Sequence, residues 1–484
     1  WVLMQLATAQ VGLVLVNINP AYRTAEVEYA LNKVGCQLLV TMARFKTSDY
    51  LGMLRELAPE WAHGLPGALE AQQLPHLKTV VWIDEAGQGA DEPGLMRFSA
   101  LLAQGDAADP RVAQVAATLK ASDPINIQFT SGTTGFPKGA TLTHRNILNN
   151  GFFIGECMKL TPADRLCIPV PLYHCFGMVL GNLACFTHGA TIVYPNDGFD
   201  PLTVLQTVQD ERCTGLHGVP TMFIAELDHP RFAEFDLSTL RTGIMAGSPC
   251  PTAVMQRVVS DMHLSQITIA YGMTETSPVS CQSSTDTPLD RRVSTVGQVQ
   301  PHLEVKIVNP DSGEVVSPGQ SGELCTRGYS VMHGYWEDPA KTAEAIDTEG
   351  WMHTGDLATM DTEGYVNIVG RIKDMVIRGG ENIYPREIEE FLYRMPQVQD
   401  VQVVGVPDVK YGEELCAWVI VKPGQTLDEE TVRAFCKGQI AHYKVPRYIR
   451  FVDAFPMTVT GKIQKFKIRD AMKDQLGLAE AKTA

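Results

Sequence analysis

Ten residues, Thr130-Ser131-Gly132-Thr133-Thr134-Gly135-Phe136-Pro137-Lys138-Gly139, follow directly on the apolar run Ile125-Asn126-Ile127-Gln128-Phe129. With three glycines, four hydroxyl side chains and one lysine, the stretch has no apolar face to bury and cannot serve as a core helix or strand. It suits a phosphate grip. Glycines let successive backbone N–H groups turn toward one centre, hydroxyls add donors, and Lys138 adds a charge for phosphoryl oxygens. Read alone, such a stretch is also what an ordinary surface loop looks like. A P-loop is excluded, because the one Gly-Lys pair, Gly461-Lys462, is followed by Ile463, and the stretch has no G-x-G-x-x-G.

At 484 residues the chain exceeds what one hydrophobic core holds, so two or more domains are expected. A net charge of −15 argues against a sequence-independent grip on nucleic acid or anionic lipid, yet leaves local nucleotide binding open. The eleven cysteines are scattered without a C-x-x-C pair, and several lie inside apolar runs. They read as reduced, buried thiols rather than a disulfide frame or a zinc site. Gln5, Gln10 and Gly12 break the apolar start, and no transmembrane segment is expected. The chain opens on Trp1 without an initiating Met, which reads as a natural start lying further upstream. The expected location is the cytoplasm, or the mitochondrial matrix if that upstream part carries a transit peptide.

Along the chain, strand-like and helix-like segments alternate, which predicts mostly parallel sheets covered by helices. Gln37–Val40 reads as a short buried strand, residues 84–96 as a surface loop, and Leu142–Cys157 as a helix starting near the phosphate loop. Gly247 follows one strand, and Tyr271-Gly272-Met273-Thr274-Glu275 follows another, where α/β folds bind ligands. There Tyr271 offers a flat ring for stacking, Thr274 a hydroxyl donor, and Glu275 a hard oxygen ligand of the kind that suits a divalent cation. Turn signals from Glu304 to Val369 predict a β-rich subdomain. Gly355-Asp356 reads as a segment end, with Arg371 fifteen residues on, and the pair can clamp a ribose or form a surface ion pair. Pro385 opens a helix with Ile388, Phe391, Leu392 and Met395 on one face, and a further helix is expected over Leu427–Ala441. By spacing alone His174 is a core histidine and Lys462 a solvated charge on a glycine turn.

The Thr130–Gly139 stretch resembles, nearly letter for letter, the signature loop of the adenylate-forming acyl-CoA synthetase superfamily, the AMP-binding enzymes. From about Asn126 to Lys465 the likeness is continuous and in order. Asp123–Phe129 and Gly461-Lys462-Ile463-Gln464-Lys465-Phe466 look most like medium-chain fatty acyl-CoA synthetases. The resemblance implies an α/β fold with a large N-terminal lobe, residues 1–372, of parallel sheets with helices plus a β-rich subdomain. A small α+β C-terminal lobe, residues 373–484, would turn on a hinge at Lys373.

It implies ATP binding by Thr130, Ser131, Gly132, Thr133, Thr134, Gly135, Lys138, Gly247, Tyr271, Gly272, Thr274, Asp356, Arg371 and Lys462. Catalysis falls to Lys462, Glu275 and Thr130, with Mg²⁺ on Glu275. His174 and Gly247 would line the acyl pocket, and Gly379-Gly380 would let the pantetheine of coenzyme A pass. The implied reaction converts a fatty acid, ATP and coenzyme A into acyl-CoA, AMP and pyrophosphate through an acyl-AMP. An aryl acid, a different acceptor, or a non-catalytic nucleotide-binding protein are the competing readings. The retention of Glu275, Asp356, Arg371 and Lys462 together argues against the last of these. Assembly as a homodimer stays open.

Overall fold

Gly215–Gly218 and Thr242–Ala246 are short strands buried on both faces, and Gln266–Gly272 is buried over its central residues. That pattern belongs to a sheet covered by helices on each side. In the computed structural model, which describes residues 1–83, 93–130, 137–379, 381–458 and 462–477, they are the centre of a seven-stranded sheet. Thr191–Val193 and Arg165–Cys167 extend it in parallel on one side. Val279–Gln282 and Gln298–Val299 return antiparallel on the other.

The covering helices Pro201–Asp210, Pro220–Leu227 and Thr252–Asp261 all start where the sequence provides a start. Pro201 and Pro220 occupy first-turn positions, and Asp200 caps its helix by accepting the Thr203 N–H at 2.8 Å. Their apolar faces, including Val204, Val208, Phe223, Leu227, Met255 and Val258, share one core. Burial of side chains this size contributes about 1.5–3 kcal/mol each.

The expected β-rich region is an antiparallel sheet of Leu303–Val308, Gly322–Gly328, Met352–Met360 and Val366–Arg371. After it come five strands, Val376–Arg378, Glu381–Ile383, Val398–Asp408, Gly412–Val421 and Tyr448–Phe451, in one sheet with the helices Pro385–Leu392, Glu429–Cys436 and Lys465–Leu476. Ile388, Leu392 and Met395 are buried there as their spacing predicts.

The chain forms two compact units, Trp1–His144 with Met332–Thr342, and Arg145–Val331 with Ala343–Ala484. This cuts the chain differently from the lobes expected at residues 372 and 373. The segment after Lys373 packs within the second unit, where Arg386 Nη1 donates to the Ile368 carbonyl at 2.8 Å. The first unit holds a parallel sheet of Leu38–Thr41, Thr79–Trp82 and Leu95–Arg97 over a core with Trp61 and Trp82. It also holds a mixed sheet of Leu15–Asn17, Pro124–Thr130, Lys138–Thr143 and Gly334–Tyr335. Among the described residues no helix is long and apolar enough to cross a membrane.

Several local expectations need correction. Leu142 and Thr143 end a strand, so the helix runs His144–Met158, because β-pairing with Pro124–Thr130 wins over helical spacing. Leu38–Thr41 is an edge strand with Leu38 43% exposed, not a buried one. The helix expected over Leu427–Ala441 spans only Glu429–Cys436, and Gly438 just beyond it adopts φ +74°. Residues 93–96 include the start of the strand Leu95–Arg97 rather than loop alone, and residues 84–92 lie outside the described residues. Asp356 lies inside the strand Met352–Met360 instead of at a segment end, next to Gly355 at φ +70°.

Glu226, on the helix Pro220–Leu227, is fully buried, and neither of its oxygens has a hydrogen-bond partner among the described residues. Burial pushes its carboxyl well above the usual carboxylate range. A raised folded-state value means that the stabilisation present below the unfolded pKa is lost as pH rises toward the folded one, by up to about 1.4 kcal/mol per pH unit. We therefore expect Glu226→Gln to match the parent near pH 4 and to exceed it increasingly in denaturant midpoint as pH rises above the usual carboxylate range. A difference that stays constant with pH would contradict the assignment.

Candidate active site

The carboxyl ends of the parallel strands place the first residues of the site. Gln266–Gly272 runs directly into the turn Thr274–Thr276, which carries Glu275, 5% exposed. Gly272 is required there by close approach, because a Cβ at this position would lie 1.7 Å from the Pro278 carbonyl oxygen. Thr276 Oγ1 fixes the turn by donating to the Pro278 carbonyl at 2.7 Å. At the neighbouring strand end, Gly247 takes φ +92° immediately after Thr242–Ala246.

Asp356 and Arg371 face each other across the strands Met352–Met360 and Val366–Arg371. Arg371 Nε donates to Asp356 Oδ1 at 3.0 Å, and Tyr271 Oη donates to Asp356 Oδ2 at 2.7 Å. A carboxylate offers about four lone-pair sites. Among the described residues two remain, as many as the two hydroxyls of a ribose could fill. The Asp356 side chain is 11% exposed, and the residue's backbone N–H donates to Thr354 Oγ1 at 3.1 Å, so the carboxylate is held in place.

Lys462 reaches the same unit from the C-terminal segment. Its backbone N–H donates to Thr458 Oγ1 at 3.0 Å, and the Thr458 N–H donates back to the Lys462 carbonyl at 2.7 Å, which steadies its backbone. Burial lowers the pKa of its ammonium and the Arg371 charge lowers it further, while Glu275 and Asp356 push it back up. Lys462 is half-buried, so it is not the fully solvated charge that its spacing alone suggests. His174 is pulled down to about 3, mainly by burial and also by the Lys462 charge, so its ring is neutral at physiological pH. His174 Nδ1 accepts the Phe176 N–H at 3.2 Å, which leaves the ring proton on Nε2. The π-helix Phe176–Leu183 begins right behind it, and its small residues Gly177 and Gly181 lie against Pro171 and Ile168 with no room for a Cβ.

Thr274, like Glu275, belongs to this turn. Lys373 sits in the turn Ile372–Asp374, between the strands Val366–Arg371 and Val376–Arg378. Gly379, at φ +60°, donates its N–H to the Tyr411 carbonyl at 2.8 Å. In the first unit, Thr130 ends its strand opposite Lys138, whose ammonium meets Tyr335 Oη at 3.0 Å. Ser131, Gly132, Thr133, Thr134, Gly135 and Gly380 lie outside the described residues.

Two contributors were not foreseen from the sequence. Tyr271 is an anchor for Asp356 in addition to being a ring beside a nucleotide, a pairing 85 positions apart that no local pattern reveals. Cys175 is buried, and both Glu275 and Lys462 act on its thiol, which burial pushes up and keeps protonated. Its place directly after His174 was the available signal.

A carboxylate held by Tyr271 and Arg371, a buried acidic residue at a strand end and a lysine from the C-terminal segment fit an enzyme of the adenylate-forming class. The chain belongs to the AMP-binding enzyme family, whose family model matches residues 1–336, while that of the AMP-binding enzyme C-terminal domain matches residues 387–462. It is 50% identical over 488 residues to YngI of Bacillus subtilis, assigned as an acyl-CoA synthetase, covering 99% of this chain and 87% of that one. It is 46% identical to the mitochondrial medium-chain acyl-CoA ligase ACSF2 of Homo sapiens, covering 99% of this chain and 78% of that protein. Among solved structures it resembles ATP-bound MatB from Rhodopseudomonas palustris, at 29% identity and a TM-score of 0.79 over 98% of this chain and 86% of that one. It also resembles the anthranilate CoA ligase AuaEII in complex with anthranoyl-AMP, at 26% identity and a TM-score of 0.82 over 99% and 86%.

Tyr271→Phe removes one of the two groups that orient Asp356. Loss of a hydrogen bond to a charged group predicts ATP affinity weaker by about 1.5–3 kcal/mol, roughly ten- to a hundredfold. Fatty-acid KM should change little. Equal losses for both substrates in steady-state kinetics would show instead that Tyr271 merely supports the fold.

Proposed function

We propose that the protein activates a medium-chain fatty acid as its adenylate and passes the acyl group to coenzyme A. In the first half-reaction the carboxylate oxygen attacks the α-phosphorus of ATP, the bond to the pyrophosphate oxygen breaks, and acyl-AMP forms. In the second, the coenzyme A thiol attacks the acyl carbonyl, loses its proton and displaces AMP.

The observation that carries this reading is the convergence of Lys462, Glu275 and the Tyr271–Asp356–Arg371 clamp within one unit. Charge accumulates on the transferring phosphoryl group, and donors fixed in a site of low dielectric stabilise it most. Lys462 is the cation in place for that role. Asp356 holds the ribose. His174, neutral with its proton on Nε2, adds no competing charge and leaves an apolar wall beside the π-helix for the alkyl chain. The phosphate-binding part expected of Thr130 to Gly135 and Lys138 rests on the sequence alone.

Glu275 suits Mg²⁺, since one buried hard carboxylate completed by substrate phosphate oxygens is the donor set this ion takes. When bound it neutralises phosphate charge. The same C-terminal segment carries Lys462 and the Gly379-Gly380 stretch, and both cannot serve one centre together. We therefore include a rotation of residues 373–484 about Lys373 between the half-reactions. A homodimer belongs to the same proposal, located in the cytoplasm or the mitochondrial matrix.

ATP–pyrophosphate exchange measured with straight-chain acids of graded length and with benzoate tests the assignment. We expect exchange to peak for medium-chain acids and acyl-CoA to form when coenzyme A is added. Exchange that peaks on benzoate would move the reading to an aryl acid, and no exchange with any acid would overturn it.

A further inference from the structure

Between the strand that carries Asp356 and its neighbour Gly322–Gly328, three side chains converge that the adenylation chemistry does not use. Cys325 and His353 are cross-strand neighbours in the antiparallel sheet, and Glu323 lies two residues before Cys325 on the same strand. His353 Nδ1 lies 2.9 Å from Glu323 Oε2 and 3.5 Å from Cys325 Sγ. One ring nitrogen therefore faces both a carboxylate and a thiol. Among the described residues this is the one trio of His, Cys, Asp or Glu whose ligand atoms all fall within 4.8 Å of one another.

We propose that Glu323, Cys325 and His353 form a binding site for a single thiophilic divalent cation of the Zn²⁺ type. With metal–sulfur, metal–nitrogen and metal–oxygen bonds of about 2.3, 2.0–2.1 and 2.0–2.2 Å, tetrahedral geometry spaces sulfur and nitrogen about 3.5 Å apart and nitrogen and oxygen about 3.4 Å. The thiol already stands at that spacing from the ring. The carboxylate needs to retreat by roughly half an ångström as an ion replaces its hydrogen bond.

The surroundings fit the same ion. His353 Nε2 lies 3.7 Å from Asp347 Oδ2, the outer carboxylate that orients a metal-bound imidazole. Cys325 is buried and the Glu323 side chain is 12% exposed, whereas that of His353 is 36% exposed, which gives an ion a way in and a water a fourth position. Binding sends the Cys325 proton to solvent. Thiolate, Glu323 and Asp347 then carry three negative charges against Lys306, the cation that acts on Cys325, and a divalent ion balances the remainder. Arg327 does not compete, as Glu304 holds it at 2.8 Å. Glu323 Oε1 also accepts the Gly355 N–H at 3.0 Å, so the site adjoins the backbone that carries Asp356.

The test is titration of the chelator-stripped full chain with Co²⁺, followed by competition with Zn²⁺. We expect one Co²⁺ per chain with a thiolate-to-cobalt charge-transfer band in the near ultraviolet, displaced by Zn²⁺. Cys325→Ser should abolish the band and Asp347→Asn should weaken binding about tenfold. Should Cys325→Ser fail to fold, His353→Asn answers the same question. Absence of stoichiometric binding, or a band that persists in Cys325→Ser or in His353→Asn, would overturn the site.

Discussion

An ammonium taken out of water has to be met by fixed opposite charge, and the second unit is arranged around that requirement. Lys462 lies where burial and Arg371 disfavour its charge and where Glu275 and Asp356 restore it. Neither carboxylate is there by local accident. Glu275 sits on a turn that only a glycine at 272 permits, and Asp356 is gripped by Tyr271 and Arg371 from two different sheets. The seven-stranded sheet and the antiparallel sheet thus meet at one carboxylate, and their relative placement is set by the Tyr271–Asp356 hydrogen bond as well as by the shared core that packs Ile307, Leu324 and Val366 with Ile267 and Leu216.

Much of this was legible in the sequence because it is local. Prolines at helix starts, glycines past strand ends and apolar runs each carry their own signal, and the helix Pro385–Leu392 lies where its proline and its apolar spacing put it. What failed was decided by partners distant in sequence. Leu142 was drawn into a strand by Asn126, and Leu38 is exposed because its strand lies at a sheet edge. The bond between Tyr271 and Asp356, like the trio of Glu323, Cys325 and His353, depends on strand pairing that no spacing rule conveys. Lys462 alone looked like a solvated charge, and only its companions in order made it a candidate.

The arrangement seen here has a chemical bias. On the proposed function, a lysine whose charge is felt by Glu275 and Asp356 suits the step in which charge builds on phosphorus, the adenylation half. Gly379 is meanwhile tied to Tyr411 within its own sheet. The proposed turn at Lys373 would withdraw the ammonium and expose its carboxylate partners. That makes the buried charge a feature of one step, not a permanent part of the core.

The central claim is that Lys462 serves adenylate formation and nothing after it. Single-turnover measurements on Lys462→Ala separate the halves: acyl-AMP formation from ATP and fatty acid, and acyl-CoA formation from supplied acyl-AMP. The account predicts a loss of about a hundredfold or more in the first rate with the second within a few-fold of the parent. Parallel losses in both rates would contradict it.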